Sequence, residues 1–173
     1  MSRRLMFLLA MVFVVAGVTA VGFSVSGSDD GRTAAEGTGL DLPLVYRDGT
    51  VGNVADFVGR PVVLNFWASW CPACVAEMPD FQRVHAELGD QVVFIGVNMQ
   101  EVDQVAADAL IEQTGVTYLL AEDPDGTIFR SFDGIAMPTS VFISAQGAVV
   151  DIHGGAIFAD DLLTKIRRDL LGS

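Results

Sequence analysis

The stretch Val62-Val63-Leu64-Asn65-Phe66-Trp67-Ala68-Ser69-Trp70-Cys71-Pro72-Ala73-Cys74 decides the fold of this chain. Its first six residues are almost all apolar, and a short continuous apolar run is typical of a central strand that is buried on both faces. Pro72 suits the first turn of a helix. The stretch therefore predicts a buried strand leading into a helix, with Cys71 and Cys74 at the junction.

The residues that follow predict a helix over residues 72–88. Pro79 is expected to kink its middle. Apolar residues recur every three or four positions and form its buried stripe, namely Val75, Met78, Phe81, Val84 and Leu88.

The rest of the folded part alternates between strand and helix patterns. A helix over 101–113 is expected to end at Gly115, and a last helix covers 160–171. The expected buried face of the 101–113 helix is formed by Val102, Val105, Ala106, Ala109 and Leu110. The other expected strands are 40–46, 91–98, 117–121, 139–144 and 148–152, with turns at 47–49, 123–126 and 145–147. This alternation predicts an α/β fold, a mixed central sheet with helices on both faces.

The N-terminal segment predicts transport across a membrane. Arg3 and Arg4 precede an uncharged, mostly apolar run over residues 5–25, and about 20 helical residues span a hydrocarbon core about 30 Å thick. Arginines before such a run favour a cytoplasmic N-terminus with the domain outside. Residues 1–25 are therefore expected to be a membrane anchor. A cleaved signal peptide is the alternative, because Val18-Thr19-Ala20 resembles a cleavage site. Residues 26–39 predict a flexible linker, and 40–173 the folded domain.

The chain carries a formal net charge of −12. So acidic a surface repels phosphate backbones, which argues against a nucleic-acid partner. It favours basic partners, or it simply keeps the domain soluble.

Cys71 and Cys74 are the only cysteines, and residues i and i+3 at a helix start lie close enough for their sulfurs to bond or to separate. The thiolate is the nucleophile in disulfide exchange. The positive end of a helix dipole lowers the pKa of a thiol there from its free value of about 8.5. Cys71 is therefore expected to attack substrates, and Cys74, one turn inside the helix, to resolve the mixed disulfide.

Two other uses of this cysteine pair stay open. A purely structural disulfide closing so small a loop would contribute only about 2 kcal/mol. A zinc site needs four ligands, and only His85 and His153 are available beside the two sulfurs. We expect neither a metal nor another cofactor, and we expect both histidines at the surface.

Two glutamates are candidates beside the cysteines. Glu77 stands three residues after Cys74, on the same helix face, where a carboxylate could accept the proton of the Cys74 thiol. An ordinary exposed helix residue is the alternative. Glu101 follows a strand end that could face the same site.

Asn65-Phe66-Trp67-Ala68-Ser69-Trp70-Cys71-Pro72-Ala73-Cys74, followed by Glu77 and Pro79, resembles the N-F-W-x-x-W-C-x-x-C-x-x-E-x-P pattern of the TlpA/ResA-like disulfide reductases. These are membrane-anchored members of the thioredoxin superfamily associated with cytochrome c maturation. The resemblance covers about residues 40–171. It implies a thioredoxin-like fold with an N-terminal strand or hairpin, a helix–strand insertion at 101–121, and a cis-proline at Pro138.

The resemblance also implies roles and partners. It makes Glu77 the proton-handling carboxylate, because thioredoxin itself usually has an aspartate where this chain has Asn65. Substrate contacts fall to Trp70, Pro72, Met137 and Pro138. Implied partners are client proteins with disulfides, apocytochrome c among them, and a membrane protein that supplies electrons.

Two rival functions have a similar fold. A peroxiredoxin-like peroxidase wants a threonine where this chain has Ala68. A thioredoxin-fold copper metallochaperone usually spaces its cysteines by three residues and adds a distant histidine, for which only His153 is available.

Overall fold

The computed structural model describes residues 39–172. The predicted anchor over 1–25, and the predicted linker apart from Gly39, lie outside the described residues. Within residues 39–172, no helix is both long enough and apolar enough to cross a membrane.

The described residues form one mixed sheet, as predicted, and it has seven strands. They are β1 (Leu44–Tyr46), β2 (Val51–Gly52), β3 (Val62–Trp67), β4 (Val93–Met99), β5 (Leu119–Asp123), β6 (Thr139–Ile143) and β7 (Val149–Gly154). Their order across the sheet is β2-β1-β5-β4-β3-β6-β7. The pairs β3–β4 and β4–β5 are parallel, and the remaining neighbours are antiparallel.

The helices are α1 (Pro72–Leu88), α2 (Gln104–Thr114), α3 (Thr127–Ser131) and α4 (Ala159–Ile166). A short 3₁₀ helix (Val54–Phe57) precedes β3, and a π-helical turn (Arg167–Leu171) follows α4. α1 continues through Pro79 without a break. The helix predicted over 160–171 is two consecutive elements, α4 and the π-helical turn.

Alternation along β3 divides the core into two layers, because successive strand residues point to opposite faces. Val62, Leu64 and Phe66 belong to the cluster that packs against α3 and the 3₁₀ helix. Val63 packs on the other face with α1 and α4, and Trp67 packs with α1 and α2. Asn65 shares the parity of these last two and therefore points towards α1. Phe66 and Trp67 are core residues, as expected.

The start of the domain differs from the prediction, because β1 begins at Leu44 rather than at residue 40. The 47–49 turn is confirmed and joins β1 to β2 as a hairpin.

β5 lies two residues further along the chain than the predicted strand over 117–121. β5 ends at Asp123, a residue we expected in a turn. Its buried carboxylate accepts hydrogen bonds from the backbone N–H groups of Ile128 (3.2 Å) and Phe129 (2.8 Å). These bonds satisfy free donors at the start of α3, a five-residue helix that the sequence did not predict.

The predicted buried face of the 101–113 helix is wrong in part. Val102 and Val105 are 84% and 77% exposed, and Ala109 is exposed as well. Leu110 is buried as predicted, together with Ala107, which was not predicted. The helix begins only at Gln104, because the Asp103 side chain caps it by accepting two backbone N–H groups. Val102 therefore precedes the helix. Gly115 ends it in a left-handed conformation, as expected.

The expectation of a surface position is wrong for His85. The His85 ring packs edge-on against the rings of Phe94 and Tyr118, with centroids 5.4 and 5.7 Å away. This burial lowers the pKa of His85. His153 is half-buried on β7.

Candidate active site at the Cys71–Cys74 dithiol

The two cysteines lie where β3 ends and α1 begins. Cys71 is the N-cap of α1, and Pro72 opens its first turn. The residues are joined by a disulfide, with their Cα atoms 5.3 Å apart. The Cys71 sulfur also accepts the backbone N–H of Cys74 at 3.2 Å. Cys71 is 5% exposed and Cys74 is wholly buried, so the accessibility order matches the expectation.

The loop between β3 and α1 is tied to the loop that follows β4. Ser69 donates its backbone N–H and its hydroxyl to the Glu101 carboxylate, at 2.8 and 2.9 Å. The Trp70 indole N–H donates to the Gln100 carbonyl at 3.1 Å. β3 and β4 are parallel neighbours, so their carboxyl ends lie at the same sheet edge, where α/β folds place their sites.

Glu101 is therefore brought to the site region, as the sequence suggested, but it contacts the loop before Cys71. Burial works against ionisation of its carboxyl, yet hydrogen bonds from Ser69, Asp103 and Asn98 lower its pKa to about 2. It is a carboxylate at neutral pH. The sequence carried no signal for this contact, because residues 69 and 101 are neighbours only through the β3–β4 pairing.

Glu77 is wholly buried, so the alternative of an exposed helix glutamate is wrong. Its carboxylate accepts hydrogen bonds from the Asn65 side-chain amide (2.8 Å) and from the Ile157 backbone N–H (2.9 Å). Burial raises the pKa of Glu77 to about 7, although both hydrogen bonds act to lower it. The carboxyl can therefore gain or lose a proton near neutral pH.

Met137 and Pro138 lie at the same edge of the sheet. The peptide bond between them is cis, as expected. Pro138 immediately precedes β6, whose first residue pairs with Phe66 of β3. Met137 packs against the cluster that contains Cys71 and Cys74. The fold thus brings the dithiol and the cis-proline segment together.

The rim of the site carries exposed apolar side chains. Trp70 is 46% exposed, and Pro72 is exposed as well. Val102 (84%) and Ile135 (96%) belong to the flanking loops. The sequence singled out the first two as candidates for substrate contact. In residues 39–172, no group of three or more His, Cys, Asp and Glu side chains is placed to hold a metal ion.

A mixed sheet, a dithiol at the end of an interior strand and a cis-proline segment at the same edge define a thioredoxin-like redox protein. The chain belongs to the redoxin family, whose sequence profile matches residues 25–160.

Named relatives agree with this assignment. The chain is 32% identical to the thiol-disulfide oxidoreductase ResA of Oceanobacillus iheyensis over 115 residues, which are 66% of this chain and 60% of that protein. It is also 32% identical to the thiol:disulfide interchange protein DsbE of Pseudomonas fluorescens biotype C, over 73% of this chain and 71% of that protein.

Solved structures show the same fold. A secreted Mycobacterium tuberculosis disulfide oxidoreductase, described as homologous to Escherichia coli DsbE, superposes with a TM-score of 0.69 at 27% identity, over 78% of this chain and 99% of that one. The enzyme is therefore a thiol–disulfide oxidoreductase, which favours this function over the peroxidase and copper-carrier alternatives.

Proposed function

We propose that this oxidoreductase reduces disulfide bonds of client proteins outside the cytoplasm, with Cys71 as the attacking thiol. The placement of the Cys71 sulfur carries the proposal. It caps α1 and accepts the Cys74 N–H at 3.2 Å. Free N–H groups and the positive dipole at a helix N-terminus stabilise a thiolate.

The reaction begins with a reduced dithiol. The Cys71 thiolate attacks one sulfur of a client disulfide, and the other client sulfur leaves as a thiolate and takes up a proton. Cys74, which is wholly buried, then loses its proton and attacks the Cys71 sulfur. The second client sulfur is released as a thiol. The client gains two electrons and two protons, and the enzyme is left with the Cys71–Cys74 disulfide.

Glu77 accepts the Cys74 proton in this scheme. It lies three residues further along α1, and residues at this spacing share a helix face. A pKa of about 7 suits a base that must take and return a proton near neutral pH. The hydrogen bonds from Asn65 and Ile157 hold the carboxylate in place.

Client contacts fall to Trp70, Pro72, Met137 and Pro138 around the dithiol. The net charge of −12 suits a basic client such as apocytochrome c. A membrane protein that returns electrons to the dithiol completes the cycle. Export is supported by the apolar run over residues 5–25 after two arginines, and by the secreted relative in Mycobacterium tuberculosis.

The reduction potential of the purified protein tests the direction of transfer. In glutathione buffers, a reductase should show a reduction potential near that of thioredoxin, about −270 mV, because its disulfide must be more stable than its reduced dithiol. A value near that of the oxidant DsbA, about −120 mV, would reverse the proposed direction and leave the oxidoreductase activity in place.

A further inference from the structure

The Glu101 carboxylate collects five hydrogen-bond donors. Three belong to its own surroundings, the Asn98 side-chain amide (3.1 Å) and the backbone N–H groups of Val102 (2.9 Å) and Asp103 (3.1 Å). The other two come from Ser69, at 2.8 and 2.9 Å. One ionised side chain therefore joins the loop after β4 to the loop that carries Cys71.

Gln100 adds a second connection between the same loops. Its carbonyl accepts the Trp70 indole N–H, and its φ of 47° lies in the left-handed region that residues other than glycine seldom occupy. Its own N–H donates to the Asp123 carbonyl at 3.0 Å. The unusual conformation at Gln100 is thus held from β5 while its carbonyl faces Trp70.

Ser69 lies inside the turn that sets the direction of Cys71. The Cys71 N–H donates to the Ala68 carbonyl at 3.2 Å and closes this turn. This turn also determines where the Cys71 sulfur lies relative to the start of α1. There the sulfur accepts the Cys74 N–H. A group that fixes Ser69 therefore also fixes Cys71.

We propose that Glu101 is a positioning residue for the dithiol, which holds the Ser69–Cys71 turn so that the Cys71 sulfur stays aimed at the N-terminus of α1. This inference rests on the proposed role of Cys71 as the attacking thiol. Trp70 is held at the rim by the same pair of loops.

Two simpler roles for Glu101 predict other changes in the pKa of the Cys71 thiol when Glu101 is replaced. If Glu101 acted only as a nearby negative charge, it would oppose the Cys71 thiolate, and its removal would lower the pKa of the Cys71 thiol. If it only supported the start of α2, its removal would leave that pKa unchanged. If it positions the turn, its removal misaligns the sulfur and raises that pKa.

Glu101→Gln separates these roles because it keeps the size of the side chain. One carboxylate oxygen accepts the Ser69 N–H and the Asn98 amide, and the other accepts the Ser69 hydroxyl and the N–H groups of Val102 and Asp103. Whichever oxygen becomes an amide NH₂ then faces at least one backbone N–H donor. The glutamine therefore cannot rebuild the contact.

The test is alkylation of the reduced full-length protein in detergent by iodoacetamide between pH 6 and 10, with modification of Cys71 followed by peptide mass mapping. Glu101→Gln should raise the pKa of the Cys71 thiol by about 1, which slows alkylation at pH 7 by about five- to tenfold. Ser69→Ala removes only the hydroxyl contact and should shift the pKa in the same direction by less. Asp103→Ala removes the α2 cap, keeps the N–H that faces Glu101, and should lower Tm without changing the titration.

A fall or no change in the pKa of Cys71 in folded Glu101→Gln would overturn the proposal. If that variant does not fold, an unchanged titration in Ser69→Ala overturns it instead. The measurement uses no client. A failure of Cys71 to trap clients would therefore contradict the proposed function alone. The alkylation titration would still show whether Glu101 positions Cys71.

Discussion

The Asn65 side-chain amide donates a 2.8 Å hydrogen bond to the Glu77 carboxylate and so links β3 to α1 inside the core. Asn65 also donates to the Ser140 hydroxyl at 3.2 Å. An aspartate at position 65 would place two carboxylates within hydrogen-bond distance, and like charges raise the pKa of one of them. With asparagine there, Glu77 is the one acid of this contact, and its protonation is set mainly by burial.

Glu77→Gln should slow the resolving step and leave the first attack almost unchanged. The amide keeps the shape of the side chain but cannot take the Cys74 proton. Loss of a general base typically costs about 10²–10⁴ in rate, and we expect the low end because a thiol near pKa 8.5 is partly ionised at neutral pH. Stopped-flow measurement of both phases between pH 6 and 9 should show only the second phase slowed and shifted to higher pH.

Glu87→Gln is the matched control for that experiment. Glu87 lies on the same helix but is about half exposed and pairs with Arg167, and exposed ion pairs contribute little. Both of its kinetic phases should match those of the wild type. Equal effects of the two substitutions would mean that Glu77 has no special part in the resolving step.

Glu77 should also make the oxidised protein less stable as the pH rises. Its pKa is raised from 4.5 to about 7 in the folded state, so the folded protein holds a proton that the unfolded chain releases. The stabilisation is complete below pH 4.5 and is lost as the pH rises through about 7, and it amounts to roughly 3 kcal/mol. Urea unfolding at pH 5 and pH 8 should show most of this loss, about 2.5 kcal/mol, in the wild type and not in Glu77→Gln.

The comparison of the two proteins isolates Glu77 from the other acids, whatever constant effect the amide has on stability. A wild type and a variant with the same pH dependence between 5 and 8 would show that the carboxyl is not held neutral by burial.

Asp123→Ala should destabilise the fold without touching the dithiol. Asp123 is 1% exposed and accepts the N–H groups that open α3. Loss of a capping side chain typically costs about 0.5–2 kcal/mol, and the buried N–H groups left behind move the expected value to the upper end. Urea unfolding should show the loss, while the rate of Cys71 alkylation stays at the wild-type value. A stability change below about 0.5 kcal/mol would mean that the two hydrogen bonds do not hold α3.

The sequence predicted well those parts of the fold that are encoded locally. The apolar run of β3, the proline at the start of α1 and the glycine that ends α2 each act within a few residues of themselves. The motif around Cys71 and Cys74 predicted both the fold class and the candidate dithiol.

The parts that were missed depend on contacts between distant residues. Asp123 reads as a turn former, and only its reach to Ile128 and Phe129 reveals a helix cap. Glu101 has hydrogen-bond partners close to it in the chain, but its contact with the distant Ser69 follows only from the pairing of β3 with β4. Val102 was wrongly assigned to α2 because the Asp103 side chain caps the helix one residue later.

Export of the domain can be checked with a fusion that joins a reporter to Ser173. Arg3 and Arg4 before the apolar run over 5–25 predict that everything after the run leaves the cytoplasm. Alkaline phosphatase, which folds only where disulfides form, should be active, and a reporter that works only in the cytoplasm should be silent. Replacing both arginines by glutamate should weaken this orientation, and a fusion with the opposite pattern of activity would contradict the export of the domain.

Trapping experiments should show which cysteine meets the client and which clients are preferred. Cys71 is the more exposed of the two cysteines and caps α1, so Cys74→Ser should accumulate mixed disulfides and Cys71→Ser should not. Trapping by Cys71→Ser alone would reverse the roles of the cysteines.

A suitable client is a peptide with an oxidised C-x-x-C-H sequence, the haem attachment motif of c-type cytochromes. With flanking lysines it should react faster than the same peptide with flanking glutamates, because the enzyme carries a net charge of −12. That preference should shrink from 0.01 to 0.5 M salt as the charges are screened. Equal rates for both peptides at low salt would contradict a basic client.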